Sequence, residues 1–553
     1  MLKRGHTMLK RGKTYEDVYK AFSWNIPEHF NIGTDISDRW ADGTNRPAII
    51  TEDKSEKVLT YTFDDLSRLS NRLANALVAN GVERGDRVGV LMDQSVETAL
   101  SHIAILKIGA IAVPLLSLFG PDALEYRLGH CQAKGLICDA DNIEKVLQIK
   151  DNLPDLRIVI VANSECPDDV QDFWALIEKG SSAFSAAPTT PDDPAYIIYT
   201  SGTTGAPKAA LHGHRMLLGH LPGIQFVGNF FPQPDDLVWS PVDWAWIAGL
   251  GAVLLPSLHF GVPVVAHRMK KFDPERVFHL LSKHRVKNAL FPPTALNMMR
   301  LIEDPKARWD LKMRSVVSGG QALGKDVFEW ASNVMGVSVN ETYGQTEVHM
   351  VIGNCSEIMD IKPGSVGRPE PGRIVELLDG SGNPVAPGEI GEAAVLCPDP
   401  VTFLEYYRDP DATANKFNGP WCMTGDMMRK DEDGYFWFVG REDDMIKSSG
   451  YRIGPDEVES CLRKHPAVHM AGVIGSPDPV RGSIVKAYIH LKRGVNQSDP
   501  GLAKDIQDFV KARLAAYEYP REIEFVEQLP LGLTGKVLRR ELKQKDAESK
   551  KRK

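Results

Sequence analysis

The stretch YTSGTTGAPKAALHG (residues 199–213) places glycines, hydroxyl side chains and one lysine directly after an apolar run, AYIIYT (195–200). An apolar run of this length predicts a buried strand, and open α/β sheets bind ligands where their strands end. Glycines let backbone N–H groups approach phosphate oxygens. The spacing differs from the nucleoside-triphosphate loop G-x-x-x-x-G-K-[ST], since Ala209 follows Lys208. The stretch therefore indicates a phosphate-binding loop of another kind, with a Gly/Thr linker as the alternative.

The sequence around this stretch has the pattern of an α/β protein. Helix-like and strand-like segments alternate from Asp64 to Val161, and a second series of this kind runs from 196 to about 343. Short runs rich in glycine and proline follow between 364 and 440 and indicate antiparallel β structure. We expect a large N-terminal domain (1–442), made of two βα-layered sheets and a small β-rich subdomain. A small mobile α/β domain (443–553) follows a linker at 441–444.

Composition excludes several classes of function. A net charge of −8 over 553 residues gives no support for nucleic-acid binding. The seven cysteines include no C-x-x-C pair, which argues against a zinc cluster and favours a reducing, cytoplasmic location. The sequence contains no run of 18 apolar residues, so it predicts no membrane span. The basic N-terminus has no apolar segment of the kind found in secretory signals, whereas an organelle-targeting peptide and a start at either Met1 or Met8 stay open.

Further motifs accompany the glycine-rich loop: YGQTE (343–347), TGD (424–426), GREDDMIKSSGYRIGPDEVE (440–459) and TGKVLRREL (534–542). Together with the loop, and in this order, they resemble the AMP-forming, adenylate-forming family of acyl-CoA synthetases, luciferases and adenylation domains. The resemblance covers essentially the whole chain and is greatest to medium-chain acyl-CoA synthetases. It implies an acid:CoA ligase that uses ATP and Mg²⁺ to form an acyl-adenylate and then passes the acyl group to coenzyme A.

The resemblance also assigns the groups that would bind ATP. Gly320, Gln321 and Ala322 would line the adenine, although a plain βα turn is a rival interpretation of these residues. Asp426 would accept both ribose hydroxyls. The full set of implied ATP-binding residues is Thr200, Ser201, Gly202, Thr203, Thr204, Gly205, Lys208, Gly320, Gln321, Ala322, Thr342, Tyr343, Gly344, Asp426, Phe438 and Arg441.

Three residues are expected to carry the chemistry. The resemblance implies that Lys536 bridges the carboxylate and the α-phosphate, that Thr346 donates a hydroxyl, and that Glu347 is the Mg²⁺ ligand. Taken without the motif, Lys536 would be a solvated lysine near a charged C-terminus. Residues 530–536 also match a P-x-x-x-x-G-K pattern, so a lysine acetyltransferase and deacetylase are possible partners acting on Lys536.

The second half-reaction is expected to use a different face of the C-terminal domain. Asp443 is the predicted hinge, since a hinge needs a few residues that absorb large φ/ψ changes. The resemblance places the thioester-forming and CoA-binding face at Ser449, Gly450, Tyr451 and Arg452.

The acid itself is inferred from one position. Acetate-restricted members of the family carry tryptophan where this chain has Gly344, so we expect a deeper acyl pocket, lined by Trp244, Trp246, Pro292, Thr294, Gly344 and His349. This predicts a fatty acid of roughly C4–C10 or an arylcarboxylate, because an apolar pocket gains only about 0.8 kcal/mol per methylene and discriminates chain length weakly. The alternatives are an acetyl- or propionyl-CoA synthetase, an adenylation enzyme that loads a carrier protein, a luciferase-like oxygenase, and an inactive member acting as a binding protein. A homo-oligomer also stays open.

Overall fold

The structure is a computed structural model that describes residues 8–52, 57–163, 167, 169–200, 207–269, 271–320, 323–448, 451–478, 481–514, 518–532 and 535–551. It has the mixed α/β architecture expected from the sequence. The helices are α1 (Tyr15–Ala21), α2 (Ile32–Asp35), α3 (Phe63–Ala79), α4 (Val96–Ile108), α5 (Pro121–His130), α6 (Ile143–Ile149), α7 (Phe173–Lys179), α8 (Arg215–Val227), α9 (Ile247–Gly249), α10 (Leu255–His259), α11 (Pro274–Lys283), α12 (Pro293–Met299), α13 (Pro305–Arg308), α14 (Lys325–Met335), α15 (Pro410–Ala414), α16 (Pro455–Leu462), α17 (Leu502–Lys511) and α18 (Arg539–Lys551).

Strands form the layers between these helices. They are β1 (Pro47–Glu52), β2 (Val58–Thr62), β3 (Arg87–Leu91), β4 (Ile111–Pro114), β5 (Gly135–Asp139), β6 (Ile158–Ala162), β7 (Gln171–Asp172), β8 (Pro194–Thr200), β9 (Lys208–Gly213), β10 (Val238–Trp239), β11 (Val264–Ala266), β12 (Asn288–Leu290), β13 (Ser315–Gly319), β14 (Val339–Gln345), β15 (His349–Gly353), β16 (Arg368–Pro369), β17 (Val375–Leu378), β18 (Ile390–Leu396), β19 (Glu405–Tyr406), β20 (Phe417–Asn418), β21 (Trp421–Lys430), β22 (Phe436–Arg441), β23 (Ile446–Ser448), β24 (Tyr451–Ile453), β25 (Val468–Asp478), β26 (Gly482–Leu491) and β27 (Glu522–Phe525).

Local sequence explains why the main helices form where they do. In α3, the side chain of Thr62 accepts from the backbone N–H of Asp65, and the Asp65 carboxylate accepts from the backbone of Thr62, which is a capping box. Its apolar residues recur at helical spacing, and Leu66, Leu69, Leu73 and Leu77 among them are buried. Helix α4 is buried along its whole length and ends at Gly109, whose φ of 75° suits glycine.

The first large sheet carries the strand that precedes the glycine-rich loop. Its order is β19-β9-β8-β4-β3-β5-β6-β7. The strands from β4 to β7 pair in parallel, whereas β9 pairs antiparallel with β8, opposing Thr200 to Lys208. The antiparallel pairing therefore places Thr200 and Lys208, the residues at the two ends of the glycine-rich stretch, opposite each other.

The second large sheet has the order β16-β15-β14-β13-β12-β10-β11-β1-β2. The two predicted series map onto the two sheets with one exchange. Strand β8 begins the second series in sequence but joins the first sheet, and β1 and β2 precede the first series but complete the second sheet. Strand β8 pairs along the edge of β4, and β1 pairs along the edge of β11. Strands of one sequence series therefore lie in the sheet formed by the other series.

Two smaller sheets contain the later strands. One has the order β17-β18-β21-β20, with β22 paired to β21. The antiparallel pairing of β21 with β22 agrees with the antiparallel β structure predicted for 364–440. The other has the order β24-β23-β26-β25, with β27 parallel to β26. Helices α16 and α17 contribute Val458, Leu462, Ile506 and Val510 to its core, which is the small α/β domain expected after the linker.

Packing divides the chain into two compact units: residues 1–375 with 395–422, and residues 376–394 with 423–553. The first unit has cores on the faces of both large sheets, and the second has its own core. The boundary predicted from the sequence, between residues 442 and 443, marks where the mobile C-terminal domain would begin and not where packing divides the chain. It stays a prediction. No helix in the described ranges is long and apolar enough to cross a bilayer.

Candidate active site

The ends of the glycine-rich loop are fixed by the β8–β9 hairpin. The Thr200 hydroxyl donates to the Lys208 carbonyl over 3.5 Å, and the Lys208 side chain is half-buried. The ammonium of Lys208 lies 5.0 Å from the ring centroid of Tyr406, a geometry that favours a cation–π contact. Five predicted phosphate-loop residues lie outside the described residues: Ser201, Gly202, Thr203, Thr204 and Gly205.

The YGQTE motif forms the end of β14 and the turn into β15. Gln345 pairs with His349 across this antiparallel hairpin, so Thr346, Glu347 and Val348 make the turn between them. Tyr343 is buried, and the amide of Gln345 donates to its hydroxyl over 3.4 Å. The hairpin therefore presents the predicted hydroxyl and carboxylate of Thr346 and Glu347 side by side at its tip.

Tyr406 connects this hairpin to the lysine of the loop, and sequence reasoning missed it. Its hydroxyl donates to Oε1 of Glu347, and the same ring stands beside Lys208. The pairing of β19 with β9 sets Tyr406 opposite Ala210, two residues from Lys208. The backbone N–H of Phe403 also donates to the Glu347 carbonyl over 2.8 Å, so the segment around β19 holds the acidic turn in place.

The donor chemistry of this group fits a magnesium ion that arrives with a nucleotide. Glu347 is only 8% exposed and offers a hard carboxylate, of the kind Mg²⁺ binds. Within the described ranges no cluster of three or more histidine, cysteine or acidic side chains could hold a metal ion. One protein carboxylate with phosphate oxygens and water completing the shell is the usual arrangement for such an ion.

The structure also shows a steric requirement for glycine at position 344. A Cβ added there would lie 1.5 Å from the carbonyl oxygen of His349, and the register shifts between Tyr343 and Gly344. His349 itself has a φ of +51°, which is uncommon outside glycine. The close approach of β14 and β15 therefore excludes any side chain at 344 with this backbone, in addition to leaving the acyl pocket without an indole.

The other predicted acyl-pocket residues differ in their environment. Trp244 is buried and Trp246, the residue before α9, is half-buried. Pro292 caps α12 and is half-buried, whereas Thr294 is exposed on the first turn of that helix. A narrow cavity of about 40 Å³ lies in the same unit and is lined mainly by apolar side chains, including Ile224, Val227, Val253, Leu290 and Val317.

At the predicted adenine segment, Gly320 has a φ of +87°, and an added Cβ there would meet no atom of the described residues within 4 Å. Gly319 instead packs against the carbonyl of Thr342, 2.7 Å from where its Cβ would lie. Thr342 is buried and donates to the Ile352 carbonyl over 2.9 Å. Gln321 and Ala322, the other two predicted adenine residues, lie outside the described residues.

The second unit contains the remaining predicted nucleotide groups. Strands β21 and β22 set Asp426 opposite Arg441, with Nε of Arg441 3.7 Å from Oδ1 of Asp426. The backbone N–H of Asp426 donates to the Thr424 hydroxyl over 3.1 Å. Phe438 is half-buried on β22.

Lys536 lies in a tight loop between the bridged residues Leu531 and Val537. The N–H of Gly532 donates to the Lys536 carbonyl over 2.7 Å, and Gly535 has a φ of +76°. Desolvation lowers the pKa of Lys536, the carboxylates of Asp456 and Asp426 oppose this shift, and Arg441 and Arg539 add to it. The Lys536 side chain is nevertheless exposed to solvent.

The predicted hinge lies in a short 3₁₀ turn, Glu442–Asp444. Asp443 is exposed, and its carbonyl accepts from the Lys543 ammonium over 2.8 Å. Strand β24 pairs Tyr451 with Ser448 and Arg452 with Lys447. The side chains of Tyr451 and Arg452 lie outside the described atoms, as do Ser449 and Gly450 as a whole.

The glycine-rich sequence that follows strand β8, the link from Lys208 through Tyr406 to Glu347, and the α/β fold are typical of nucleotide-dependent enzymes. The AMP-binding enzyme family matches residues 37–407, and the AMP-binding enzyme C-terminal domain matches residues 457–536. The chain belongs to the AMP-binding enzyme family.

Relatives and solved structures agree with this membership. The mitochondrial acyl-coenzyme A synthetase ACSM3 of Mus musculus is 34% identical over 96% of this chain and 93% of its own length. An acetyl-coenzyme A synthetase of Bacillus subtilis is 35% identical, over 96% and 95%. The anthranilate CoA ligase AuaEII, solved with anthranoyl-AMP, superposes with a TM-score of 0.86 at 31% identity, covering 95% of this chain and 98% of that one. The protein is an AMP-forming acid:CoA ligase that uses ATP, Mg²⁺ and coenzyme A.

Proposed function

We propose that this ligase activates a carboxylic acid larger than acetate, either a fatty acid of roughly C4–C10 or an arylcarboxylate. The observation that carries the proposal is Gly344, which leaves the predicted acyl pocket without the indole that acetate-restricted members of the family carry at this position. The first unit also contains an apolar cavity of about 40 Å³ and the buried indole of Trp244. Each methylene or aryl carbon buried in the acyl pocket gains about 25 cal/mol per Å² of apolar surface.

In the proposed reaction, a carboxylate oxygen of the acid attacks the α-phosphorus of ATP, and the bond to pyrophosphate breaks. Lys208 would neutralise charge on the leaving pyrophosphate, and the Thr346 hydroxyl would donate to phosphate oxygens. Glu347 would hold a Mg²⁺ ion, which when bound would supply further positive charge for the phosphates. Asp426 binds the ribose. Lys536 supplies the positive charge at which carboxylate and α-phosphate meet, and the carboxylates near it favour its protonated form.

In the second step the sulfur of coenzyme A attacks the acyl carbonyl, and the bond from that carbonyl to AMP breaks. We assign this step to the segment 449–452, with the C-terminal domain turning about Asp443. The assignment rests on the family's two-step chemistry, since the two half-reactions need different groups at one acyl carbon.

An acid panel tests the proposal. AMP release with coenzyme A would be followed for acetate, butyrate, hexanoate, octanoate and benzoate, with Lys536→Ala as the inactive control. The proposal expects kcat/KM for at least one larger acid to exceed that for acetate by about tenfold or more, as two or more buried methylenes would give. Acetate preferred over all the others would instead favour the acetyl- or propionyl-CoA synthetase alternative. A carrier-loading enzyme would transfer the acyl group to a phosphopantetheinyl carrier protein faster than to free coenzyme A.

We also propose that acylation of Lys536 regulates the enzyme, because acylation removes the charge that adenylation needs. The exposed position of this side chain on its loop supports access by a lysine acetyltransferase and a deacetylase. Mass spectrometry of protein from acetyl-rich cells should find Lys536 acylated, and a fully unmodified lysine would contradict the proposal.

A cytoplasmic location is proposed on the free thiols of all six cysteines in the described ranges. Cell fractionation tests this location, and light scattering tests whether the chain forms a homo-oligomer.

A further inference from the structure

Strand β22 and the start of α16 approach each other so closely that no side chain fits between them. A Cβ added at Gly454 would overlap the backbone carbonyl oxygen of Val439. It would also lie 3.0 Å from Cγ1 and 3.1 Å from the carbonyl carbon of the same residue. A backbone carbonyl inside a packed unit cannot move aside as the end of a flexible side chain can. With this backbone, position 454 therefore has room for glycine alone.

The residue on the other side of this approach is also a glycine. A Cβ added at Gly440, on β22, would lie 3.3 Å from Cδ of Pro455 and 3.4 Å from Sδ of Met445. Gly440 and Pro455 are buried, and Met445 is 9% exposed. We call the contact formed by Val439, Gly440, Met445, Gly454 and Pro455 the glycine contact.

Neither the backbone conformation nor the start of the helix requires glycine at position 454. Gly454 has a φ of −78° and a ψ of 120°, an extended conformation that any residue adopts. It is the N-cap of α16, a position where a serine or aspartate side chain could accept a hydrogen bond from the helix. The close approach to β22 is therefore the physical reason for a glycine here.

The two parts of the glycine contact lie on opposite sides of the predicted hinge. Val439 and Gly440 precede Asp443, whereas Gly454 and Pro455 follow it. A rotation of the backbone at Asp443 moves the residues after the hinge relative to those before it. The glycine contact therefore belongs to one of the two arrangements that the proposed reaction needs, and the rotation separates its parts in the other.

The arrangement that contains the glycine contact is the one suited to adenylation. Desolvation lowers the pKa of Lys536, and the carboxylates of Asp456 and Asp426 raise it. Asp426, the predicted ribose ligand, precedes the hinge, and Lys536 follows it. The lysine is therefore within electrostatic reach of the predicted nucleotide groups on β21 and β22 in this arrangement.

An added methyl group at position 454 would strain this approach and not the core of the C-terminal domain. The three atoms nearest to the added Cβ all belong to Val439. The core of the domain is formed by other residues of this region, among them Ile453, Val458 and Leu462. A substitution at position 454 can therefore act on one arrangement without unfolding the domain.

We propose that Gly454 is a positioning residue for adenylation, because its missing side chain lets the C-terminal domain pack against β22 and so brings Lys536 to the nucleotide site. This inference rests on the proposed function, since it takes Asp443 as the hinge and Lys536 as the adenylating lysine. A larger residue at position 454 slows the first half-reaction and spares the second.

The test measures the two half-reactions separately in Gly454→Ala. Acid-dependent exchange between pyrophosphate and ATP, with hexanoate or benzoate, reports the first. Thioester formation from coenzyme A and synthetic hexanoyl- or benzoyl-adenylate reports the second. The ratio of the two rates follows the ratio of the populations of the two arrangements. We expect this ratio to fall by about 10-fold or more relative to the parent, as overpacking by one methyl group would give.

Gly501→Ala is the matched control. Gly501 is also a glycine at the N-cap of a helix in the same unit, α17. The nearest described atom to a Cβ added there is Oδ1 of Asp499, at an ordinary distance of 3.4 Å, so the ratio should stay within twofold of the parent. Gly440→Ala makes only slightly tight contacts and should lower the ratio by about 2- to 5-fold.

Both rates are measured in one preparation, so a loss of folded enzyme lowers both and leaves their ratio unchanged. A ratio in Gly454→Ala within twofold of the parent would overturn the proposal. Loss of both half-reactions together would overturn it as well, because the clash is confined to one arrangement. A parent enzyme that shows no acid-dependent exchange with either acid would instead overturn the proposed acid class.

Discussion

Replacing Tyr406 with phenylalanine separates two contacts that one ring makes. The change removes the hydroxyl that donates to Oε1 of Glu347 but keeps the aromatic face that lies 5.0 Å from the ammonium of Lys208. Tyr406 and Glu347 are 4% and 8% exposed, so water does not readily replace the lost donor.

The magnitude follows from the charge and burial of this pair. A hydrogen bond to a buried charged group contributes about 1.5–3 kcal/mol, which is a factor of about 10 to 150. If Glu347 must be held in one orientation to take the magnesium ion, that factor should appear in kcat/KM for MgATP. Tyr406→Leu removes the ring as well and should lose a further factor of about 2 to 30, from a cation–π contact of about 0.5–2 kcal/mol.

Acid-dependent exchange of pyrophosphate with ATP, followed over a range of Mg²⁺ concentrations, measures this effect. Tyr407→Phe is the matched control, because Tyr407 is the half-buried neighbour on the same segment and its ring lies near Arg408 rather than Lys208. Tyr406→Phe with kcat/KM for MgATP within twofold of the parent would refute the role given to this residue.

Two further predictions concern sites away from this ring. Gly344→Ala should lower the free energy of unfolding by about 1–3 kcal/mol in denaturant titrations, because the new Cβ would meet the His349 carbonyl; unchanged stability would contradict the strand approach described above. The hydrogen bond with the Cys422 thiol, aided by Thr402, lowers the pKa of Cys397 to about 7, so its alkylation by iodoacetamide should be half-maximal near pH 7. In Cys422→Ala that midpoint should rise towards the usual value of about 8.5, and an unmoved midpoint would show that Cys422 is not the cause.

Much of the fold could be predicted from local pattern. The run AYIIYT lies within strand β8, and the segments after 444 form the small α/β domain that the sequence predicted. Sheet membership could not be predicted in the same way. Strands β1 and β2 lie far in sequence from β11 but complete its sheet, and pairing of this kind depends on edges that exist only once the sheets have formed.

The candidate site likewise contains residues that motifs predict and residues that only the folded structure brings together. The motifs named Thr346, Glu347, Asp426 and Arg441 as candidate site residues. Only the structure shows that Thr346 and Glu347 share one turn and that Asp426 lies opposite Arg441 on paired strands. Tyr406 was missed because it is 59 residues from Glu347, in a segment with little regular structure.

The central claim is that the ammonium of Lys536 joins the acid to the α-phosphate of ATP. The most direct measurement is the acid-dependent exchange of labelled pyrophosphate into ATP by Lys536→Ala, with Lys504→Ala as an exposed-lysine control from the same unit. Loss of one charge that stabilises the transition state should slow this exchange by about 100-fold or more, while transfer to coenzyme A from a supplied acyl-adenylate continues. Exchange in Lys536→Ala within threefold of the parent would contradict the account.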